Sequence, residues 1–218
     1  MSLRKVNFVK GEYYHIYNRG NSKQLIFKDK SDYGRFIGLL FACNSSRDFK
    51  IDNLNKNQSL FESSRGDQIV NIGAYCLMPN HFHILITDTD EGNISKFMQK
   101  LVTAYVMYFN KKYKRSGSLF EGKFKAEHID TDRYLKYLFS YIHLNPVKLV
   151  EPKWKEMGIQ NKSRVLKFLE EYQYSSYLDY LRVERKEKNI LDLKPFPDYF
   201  PAKKTFQKEI LEWINFLR

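Results

Sequence analysis

The spacing of apolar residues predicts a chain in which strands and helices alternate. Residues 13–20 alternate between apolar and polar and end at Gly20, a pattern typical of a strand followed by a turn. Two Val/Ile-rich runs, 69–78 and 81–87, are separated only by Pro79-Asn80 and predict neighbouring strands, the second of them well buried. Residues 119–129 predict a further strand.

Three segments between and after these strands show the three- and four-residue spacing of amphipathic helices. One helix is predicted to start at Ser31-Asp32, one to run from about Ile94 to Tyr113, and one to run from a Thr131-Asp132 cap to Leu144, where Asn145-Pro146 ends it. A β-α-β-β-α-β-α order is therefore expected over about 11–150. The polar stretch 44–67 predicts a long loop with a short helix.

The rest of the chain, 151–218, is predicted to form a helical extension packed on the first part. Helices are expected at 162–172 and 175–181, followed by a linker with several prolines. A last amphipathic helix is expected to bury five apolar residues: Phe206, Ile210, Trp213, Ile214 and Leu217.

The charge of the chain points to a polyanionic partner. It carries 37 Lys and Arg against 25 Asp and Glu, a net charge of +12. Basic residues gain affinity for nucleic acids by releasing counterions from phosphates, although a solvated basic surface without a partner is the simpler alternative. The 16 Tyr and 17 Phe are expected to be mostly core, and exposed rings beside basic residues would suit unpaired bases.

Cysteine usage and hydropathy predict a cytoplasmic protein with no membrane partner. Cys43 and Cys76 both lie in apolar runs and are expected to be buried free thiols in a reducing compartment. No stretch approaches the ~18 consecutive apolar residues of a membrane span, and the N-terminus lacks the apolar segment of a signal peptide.

A histidine pair, His81 and His83, is the first candidate for chemistry. Side chains at i and i+2 of a strand share a face, so both imidazoles point the same way and Phe82 points into the core. Two imidazoles on one face can hold a divalent ion. A lone His-x-His pattern is weak evidence, and two satisfied core histidines are the alternative.

The end of the third helix carries the second candidate. Tyr141 and Asn145 are four residues apart and share a helix face. They could be surface residues, or a nucleophile and a further metal ligand. A phenol is a poor nucleophile at neutral pH, and a metal ion on a scissile phosphate would stabilise the charge that develops. Tyr134, two turns earlier, is the alternative nucleophile.

Five ordered sequence blocks resemble those of the REP-associated tyrosine transposases, a branch of the insertion-sequence-200-like single-tyrosine family. Residues 75–86 resemble the His-hydrophobe-His motif, and residues 141–147 resemble the tyrosine helix. The other three blocks are 14–21, 117–124 and 174–177. Two positions depart from the pattern, because Lys123 stands where the family has Arg and Phe120 where it has Trp. Lys and Arg are not interchangeable in a bidentate phosphate contact, so a weaker or differently used contact is expected there.

The resemblance implies both a fold and an activity. The fold is α+β, a ferredoxin-like or RRM-like antiparallel sheet with helices on one face, formed by a transposase domain over 1–150. The implied activity is metal-dependent cutting and rejoining of single-stranded hairpin DNA. Mg or Mn would be held by His81, His83 and Asn145. Tyr141 would attack the phosphate, leaving a 5′-phosphotyrosine link and a free 3′-hydroxyl. The basic residues assigned to DNA are Arg19, Lys114, Arg115, Lys123 and Lys125.

Other functions remain open at this stage. The main alternative is a domesticated protein that binds a DNA hairpin without cutting it, although such a protein has no need to keep the histidines, the tyrosine and the asparagine together. A relaxase or replication initiator uses similar chemistry. An RNA-binding RRM is disfavoured because its sheet would present aromatic residues where this chain has histidines. The chain could act as a monomer or as a homodimer.

Overall fold

The fold is built on a four-stranded antiparallel sheet. The computed structural model describes residues 6–47, 59–62 and 65–212. The strands are β1 (Tyr13–Arg19), β2 (Val70–Met78), β3 (His81–Asp88) and β4 (Lys125–Ile129), in the spatial order β2-β3-β1-β4. Helix α1 (Lys30–Ala42) connects β1 to β2, and helix α2 (Asn93–Lys112) connects β3 to β4. This is the ferredoxin-like arrangement, and the predicted α+β fold class is confirmed.

One face of the sheet packs on α1 and α2 and forms the larger core. Strand alternation sends Ile16, Phe82 and Ile84 to this face, where all three are fully buried. Helix α1 begins one residue before the predicted Ser31-Asp32 start. Asp29 caps it, and Asp32 completes a capping box by accepting a hydrogen bond from the Asp29 backbone.

The other face of the sheet is covered by helix α3 (Asp132–Leu144). The prediction placed the helices on one face, and this detail differs in the structure. The cause lies in the side chains on the second face. Ala74, Cys76 and Leu85 form an apolar surface that receives the apolar stripe of α3, including Leu138 and Phe139. The sheet face that carries the histidines thus has an apolar part, which packs on α3, and a polar part, which includes the histidines.

Strand β4 is shorter than the predicted run 119–129. Only residues 125–129 form a ladder with β1, and Phe120 makes a single bridge to Gly20. Between them the backbone turns at Gly122, whose φ of 71° lies in the left-handed region that glycine adopts without strain.

The C-terminal segment contains four further helices among the described residues: α4 (Trp154–Met157), α5 (Lys162–Glu171), α6 (Tyr177–Tyr180) and α7 (Lys203–Glu212). Phe206 and Ile210 of α7 are buried as predicted, whereas Trp213, Ile214 and Leu217 lie outside the described residues. A third apolar cluster joins Leu144 and Val147 to this segment. The domain boundary near residue 150 stays a prediction, and the packing across it is continuous.

His143 and the Ser-Ser-Tyr block connect α3 to that segment. The His143 Nε2 atom lies 2.8 Å from Ser176 Oγ, and the ring is fully buried, away from the histidine pair. Ser176 also pairs with β2, because its N–H donates to the Tyr75 carbonyl at 3.0 Å.

Three further expectations concern loops, thiols and membranes. In the stretch 44–67, residues Leu60–Glu62 form one 3-10 turn, and much of the remainder lies outside the described residues. Cys43 and Cys76 are buried free thiols, as expected, and burial raises the pKa of Cys43 to about 12. Within the described part of the chain, no helix combines the length and apolarity needed to span a bilayer.

Candidate active site

The register of the sheet assembles the polar side chains on the α3 face. Residues directly opposite each other in an antiparallel pair point to the same side. Tyr17 on β1 stands opposite His83 on β3 and Lys125 on β4. In the next row His15 stands opposite Glu127, and at the end of the sheet Arg19 stands opposite His81. Three strands therefore contribute to one polar patch.

The two histidines of the pair share this face, while Phe82 between them is buried on the other face. The rings of His81 and His83 have centroids 5.1 Å apart. Burial lowers the pKa of His81 to about 4, and the nearby charges of Lys148 and Lys155 act in the same direction. Burial, His15 and His81 hold the pKa of His83 well below its usual value. Both rings are therefore neutral at pH 7, the form that binds metal ions.

The Nδ1 atom of each histidine is already engaged. His81 Nδ1 lies 2.7 Å from Asn80 Oδ1, in the turn between β2 and β3. His83 Nδ1 lies 2.8 Å from His15 Nε2 on the neighbouring strand. His15 Nδ1 in turn faces Glu127 Oε2 at 3.7 Å. Each ring of the pair thus uses one nitrogen within the protein.

Helix α3 brings Tyr141 and Asn145 to the histidines. The Tyr141 ring stands edge-on to His83, with centroids 5.5 Å apart, and to His15 at 6.1 Å. The Asn145 side chain lies near the His81 ring, where it partly offsets the lowering of the His81 pKa, and its Nδ2 donates to the Tyr141 carbonyl at 3.1 Å. Pro146 ends the helix directly after Asn145, which fixes that residue in the last turn.

A cavity of about 330 Å³ lies between α3 and the polar patch. Its lining residues include His15, His83, Glu127, Tyr134 and Tyr141. The sheet supplies the histidine side of this cavity and α3 supplies the tyrosine side.

The alternative nucleophile, Tyr134, lines the same cavity but is differently held. Its hydroxyl donates to Glu127 Oε2 at 3.2 Å. Burial, together with the Glu127 charge, raises the pKa of Tyr134 to about 12. For Tyr141, by contrast, no hydrogen bond of the hydroxyl is found among the described residues. The Tyr141 oxygen is thus available to a ligand, whereas the Tyr134 oxygen is occupied.

The donor set of the patch fits a divalent ion. Among the described residues, no group of three or more His, Cys, Asp and Glu side chains is arranged to hold a metal ion. The set His81, His83 and Asn145 is of another kind, because its third member is an amide. Two neutral imidazoles and an amide oxygen are ligands that Mn accepts at least as readily as Mg.

The basic residues assigned to DNA divide into two groups. Arg19 stands directly opposite His81 on the α3 face, and Lys125 lies in the row of His83 with Tyr17 between them. Arg19 forms a bidentate ion pair with Glu121, with Nη2 3.0 Å from Oε1. Lys123 is exposed in the turn before β4.

The other two basic residues, Lys114 and Arg115, follow α2, which packs on the opposite face of the sheet. Arg115 is bound to Gln24 and to the Ser118 carbonyl. The structure therefore brings Arg19 and Lys125 to the histidine face and leaves Lys114 and Arg115 apart.

Three residues near the pair were not singled out from the sequence. His15 and Glu127 could have been found, because strand alternation places His15 on the face of Tyr17 and a β1–β4 register would bring Glu127 beside it. Nothing in the sequence indicated that Lys155 would lie near the histidine pair. Its Nζ lies 4.3 Å from the centroid of the Tyr141 ring because Trp154, its neighbour, is buried in the C-terminal cluster. None of the described carboxylates pairs with Lys155.

Comparison with known proteins gives the family. Residues 39–145 match the family model described as "Transposase IS200 like". The matched segment runs from α1 to Asn145 and includes the histidine pair and Tyr141. It confirms the resemblance seen in the sequence blocks, since these residues are similar to the IS200-like transposases.

Two further comparisons complete this result. The chain is similar to a solved structure of a REP-associated tyrosine transposase bound to a REP hairpin. The two share 12% identity with a TM-score of 0.49, over 86% of this chain and 90% of that one, so the likeness is distant. No curated protein matches the chain.

Proposed function

We propose that the chain is a metal-dependent transposase that cuts and rejoins single-stranded hairpin DNA through a 5′-phosphotyrosine intermediate. One observation carries the proposal. Helix α3 places Tyr141 against His83 and Asn145 against His81, so one turn of helix meets both members of the histidine pair. A nucleophile and three candidate metal ligands thus lie together where the end of α3 meets β3, in a segment similar to the IS200-like transposases.

Tyr141 is suited to act as the nucleophile, because its ring lies against His83 and no described residue hydrogen-bonds to its hydroxyl. In the first transfer its Oη forms a bond to the scissile phosphorus, and the bond from phosphorus to the 3′-oxygen breaks. The phenol loses its proton, and the departing 3′-oxygen gains one. In the second transfer an incoming 3′-hydroxyl attacks the phosphotyrosine and releases the Tyr141 phenol. The energy of the phosphodiester is kept in the protein–DNA bond, so no nucleotide cofactor is required.

His81, His83 and Asn145 are the residues that would hold the divalent ion. When bound, that ion would polarise the scissile phosphate and offset the negative charge of the transition state. The low pKa values of the two imidazoles keep them neutral and ready to bind it. Tyr137 and Leu138 line the same cavity beside Tyr141.

DNA is the substrate class that the charges favour. Lys125 and Lys155 lie on the site face as exposed cations, and the whole chain carries +12. Preference for a hairpin follows from the REP-associated sequence blocks. Binding should weaken steeply with salt, because each phosphate contact releases counterions.

Denaturing electrophoresis of a labelled hairpin with a single-stranded flank tests the proposal. With Mn or Mg the wild type should form a protein-linked band, and Tyr141→Phe should not. If the wild type binds the hairpin but forms no such band on any hairpin from the DNA flanking its gene, the non-cleaving binding protein becomes the better description. Equal affinity for the hairpin and for a blunt duplex would contradict the substrate preference.

A further inference from the structure

We propose that His15 and Glu127 are positioning residues that fix the tautomer of His83 and thereby direct its Nε2 atom to the ion. The proposal rests on the proposed function, since it deepens the description of the same site. Neither residue contacts the substrate in this scheme. They act through His83, as a carboxylate–imidazole chain behind one metal ligand.

The imidazoles of His15 and His83 are in direct contact. His15 Nε2 and His83 Nδ1 lie 2.8 Å apart, and both rings are buried. A neutral imidazole has one N–H donor and one acceptor nitrogen, so this contact is satisfied by two arrangements. In one, His83 Nδ1–H donates to His15. In the other, His15 Nε2–H donates to His83.

Glu127 decides between these arrangements. Its carboxylate can only accept, and it faces His15 Nδ1 at 3.7 Å. A single ring proton on His15 therefore belongs on Nδ1, beside the carboxylate, which leaves Nε2 as an acceptor. His83 must then carry its proton on Nδ1, and the lone pair of its Nε2 is left for a metal ion.

Two tyrosine hydroxyls hold the Glu127 carboxylate beside His15. Tyr17 donates its hydroxyl to Glu127 Oε1 at 2.8 Å, and Tyr134 donates to Oε2 at 3.2 Å. His15, followed by Tyr17, lowers the pKa of Glu127 to about 2, so the group is ionised throughout the neutral range. In this network the role of Tyr17 and Tyr134 is to hold the Glu127 carboxylate, which differs from the role of a nucleophile.

His81 reaches the same result by a different route. Its Nδ1 lies 2.7 Å from Asn80 Oδ1, an oxygen that can only accept, so the His81 proton also belongs on Nδ1. Both members of the pair would then offer Nε2. His81 is oriented by a residue of its own turn, and His83 by a chain that crosses two strands.

Imidazole ¹⁵N NMR of the full-length protein at neutral pH tests the tautomer directly. In the wild type, His83 should be protonated on Nδ1. His15→Ala should lose this preference, whereas His15→Gln should keep it, because the amide oxygen can still accept from Nδ1–H. A wild-type His83 protonated on Nε2 would overturn the proposal.

A second histidine–glutamate pair, formed by His128 on β4 and Glu12 before β1, provides a matched control. His128 Nε2 lies 2.7 Å from Glu12 Oε2, and His128 stands opposite Tyr14, on the other face of the sheet. His128→Ala should leave the His83 tautomer unchanged. Circular dichroism and the thermal midpoint would establish that each variant is folded.

Mn²⁺ affinity, measured by electron paramagnetic resonance without DNA, supplies the second measurement. His15→Ala should weaken binding about 10- to 100-fold, as expected for loss of an outer partner of a ligating histidine. Glu127→Gln should fall between this variant and the wild type. Wild-type affinity in His15→Ala would overturn the proposal. If the wild type shows the Nδ1–H tautomer but binds no Mn²⁺, the tautomer assignment stands, whereas the role toward an ion and the metal dependence of the proposed function both fail.

Discussion

Two polar clusters of this molecule can be compared, one at the ends of α1 and α2 and one under α3. In the first, Asp32 is fully buried and lies 2.7 Å from Lys112 Nζ, and it also accepts from the Lys28 N–H and the Tyr113 hydroxyl. Each charged group of the trio Asp29, Asp32 and Lys112 has a partner of opposite sign, because the two carboxylates share the lysine. In the second cluster, the charge of Lys155 lies near the neutral rings of His81 and His83, and no described carboxylate pairs with the lysine.

The difference separates a cluster that holds the fold from one arranged for a ligand. A buried ion pair with satisfied partners leaves nothing for a ligand to offset. The site cluster is incomplete in charge, since its ionised carboxylate, Glu127, is already bound by His15, Tyr17 and Tyr134. A phosphodiester would supply the missing negative charge beside Lys155.

The largest effect is expected from Tyr141→Phe. The covalent protein–DNA band should fall at least about 10³-fold, because the attacking oxygen is removed. The free energy of unfolding should stay within about 0.5 kcal/mol of wild type, since no described residue hydrogen-bonds to the hydroxyl. Tyr134→Phe is the control and should keep the band. Persistence of the band in Tyr141→Phe would move the nucleophile to Tyr134.

Substitutions of the neighbouring β3 residues Phe82 and His83 should have opposite effects, the first mainly on stability and the second mainly on cleavage. Phe82→Ala removes a fully buried ring from the α1–α2 face and should cost about 3–5 kcal/mol of stability. His83→Ala should abolish the covalent band at a cost of less than about 2 kcal/mol. Urea unfolding and the cleavage assay together measure both changes. If His83→Ala is as destabilising as Phe82→Ala, His83 is a core residue rather than a ligand.

Asp32→Asn should act on stability alone, by about 2–3 kcal/mol, because it leaves Lys112 without its buried partner. Burial opposes ionisation of Asp32, but Lys112 and the Lys28 N–H outweigh it and lower its pKa. A carboxyl whose pKa is lowered by folding stabilises the protein above its unfolded value of 3.8 and loses that contribution as the pH falls below it. The acid limb of a stability–pH curve should therefore flatten in the variant, with cleavage unchanged at neutral pH. A variant that also loses cleavage would show that the two clusters are coupled.

The smallest effect is expected from Lys155→Gln. Hairpin affinity should fall a few-fold, and the slope of log affinity against log salt should drop by about 0.7, the value for one phosphate of single-stranded DNA. Lys153→Gln, an exposed lysine two positions earlier, is the matched control. Fluorescence anisotropy in a Tyr141→Phe background measures binding without cleavage. The same slope in both variants would remove Lys155 from the DNA surface.

Local pattern predicted much of the fold and part of the site. Strand alternation correctly placed His81 and His83 on one face with Phe82 on the other, and helix spacing gave α2 and α3 to within a residue or two. The position of α3 on the second face was missed, because it depends on the shape of the surface around Ala74. Lys155 was missed because its place follows from the packing of Trp154, a contact distant in sequence from the histidines.

The hydrogen bonds between the C-terminal segment and β2 protect the molecule against aggregation through a sheet edge. An exposed edge strand is a template on which other chains can add. On the outer edge of β2, the carbonyls of Ile72, Gly73, Tyr75 and Leu77 accept from the Asp192 N–H, the Tyr180 hydroxyl, the Ser176 N–H and the Tyr172 hydroxyl, respectively. The segment after residue 170 therefore closes this side of the sheet against strand addition and aggregation. The short strand β4 is left as the edge at the opposite side.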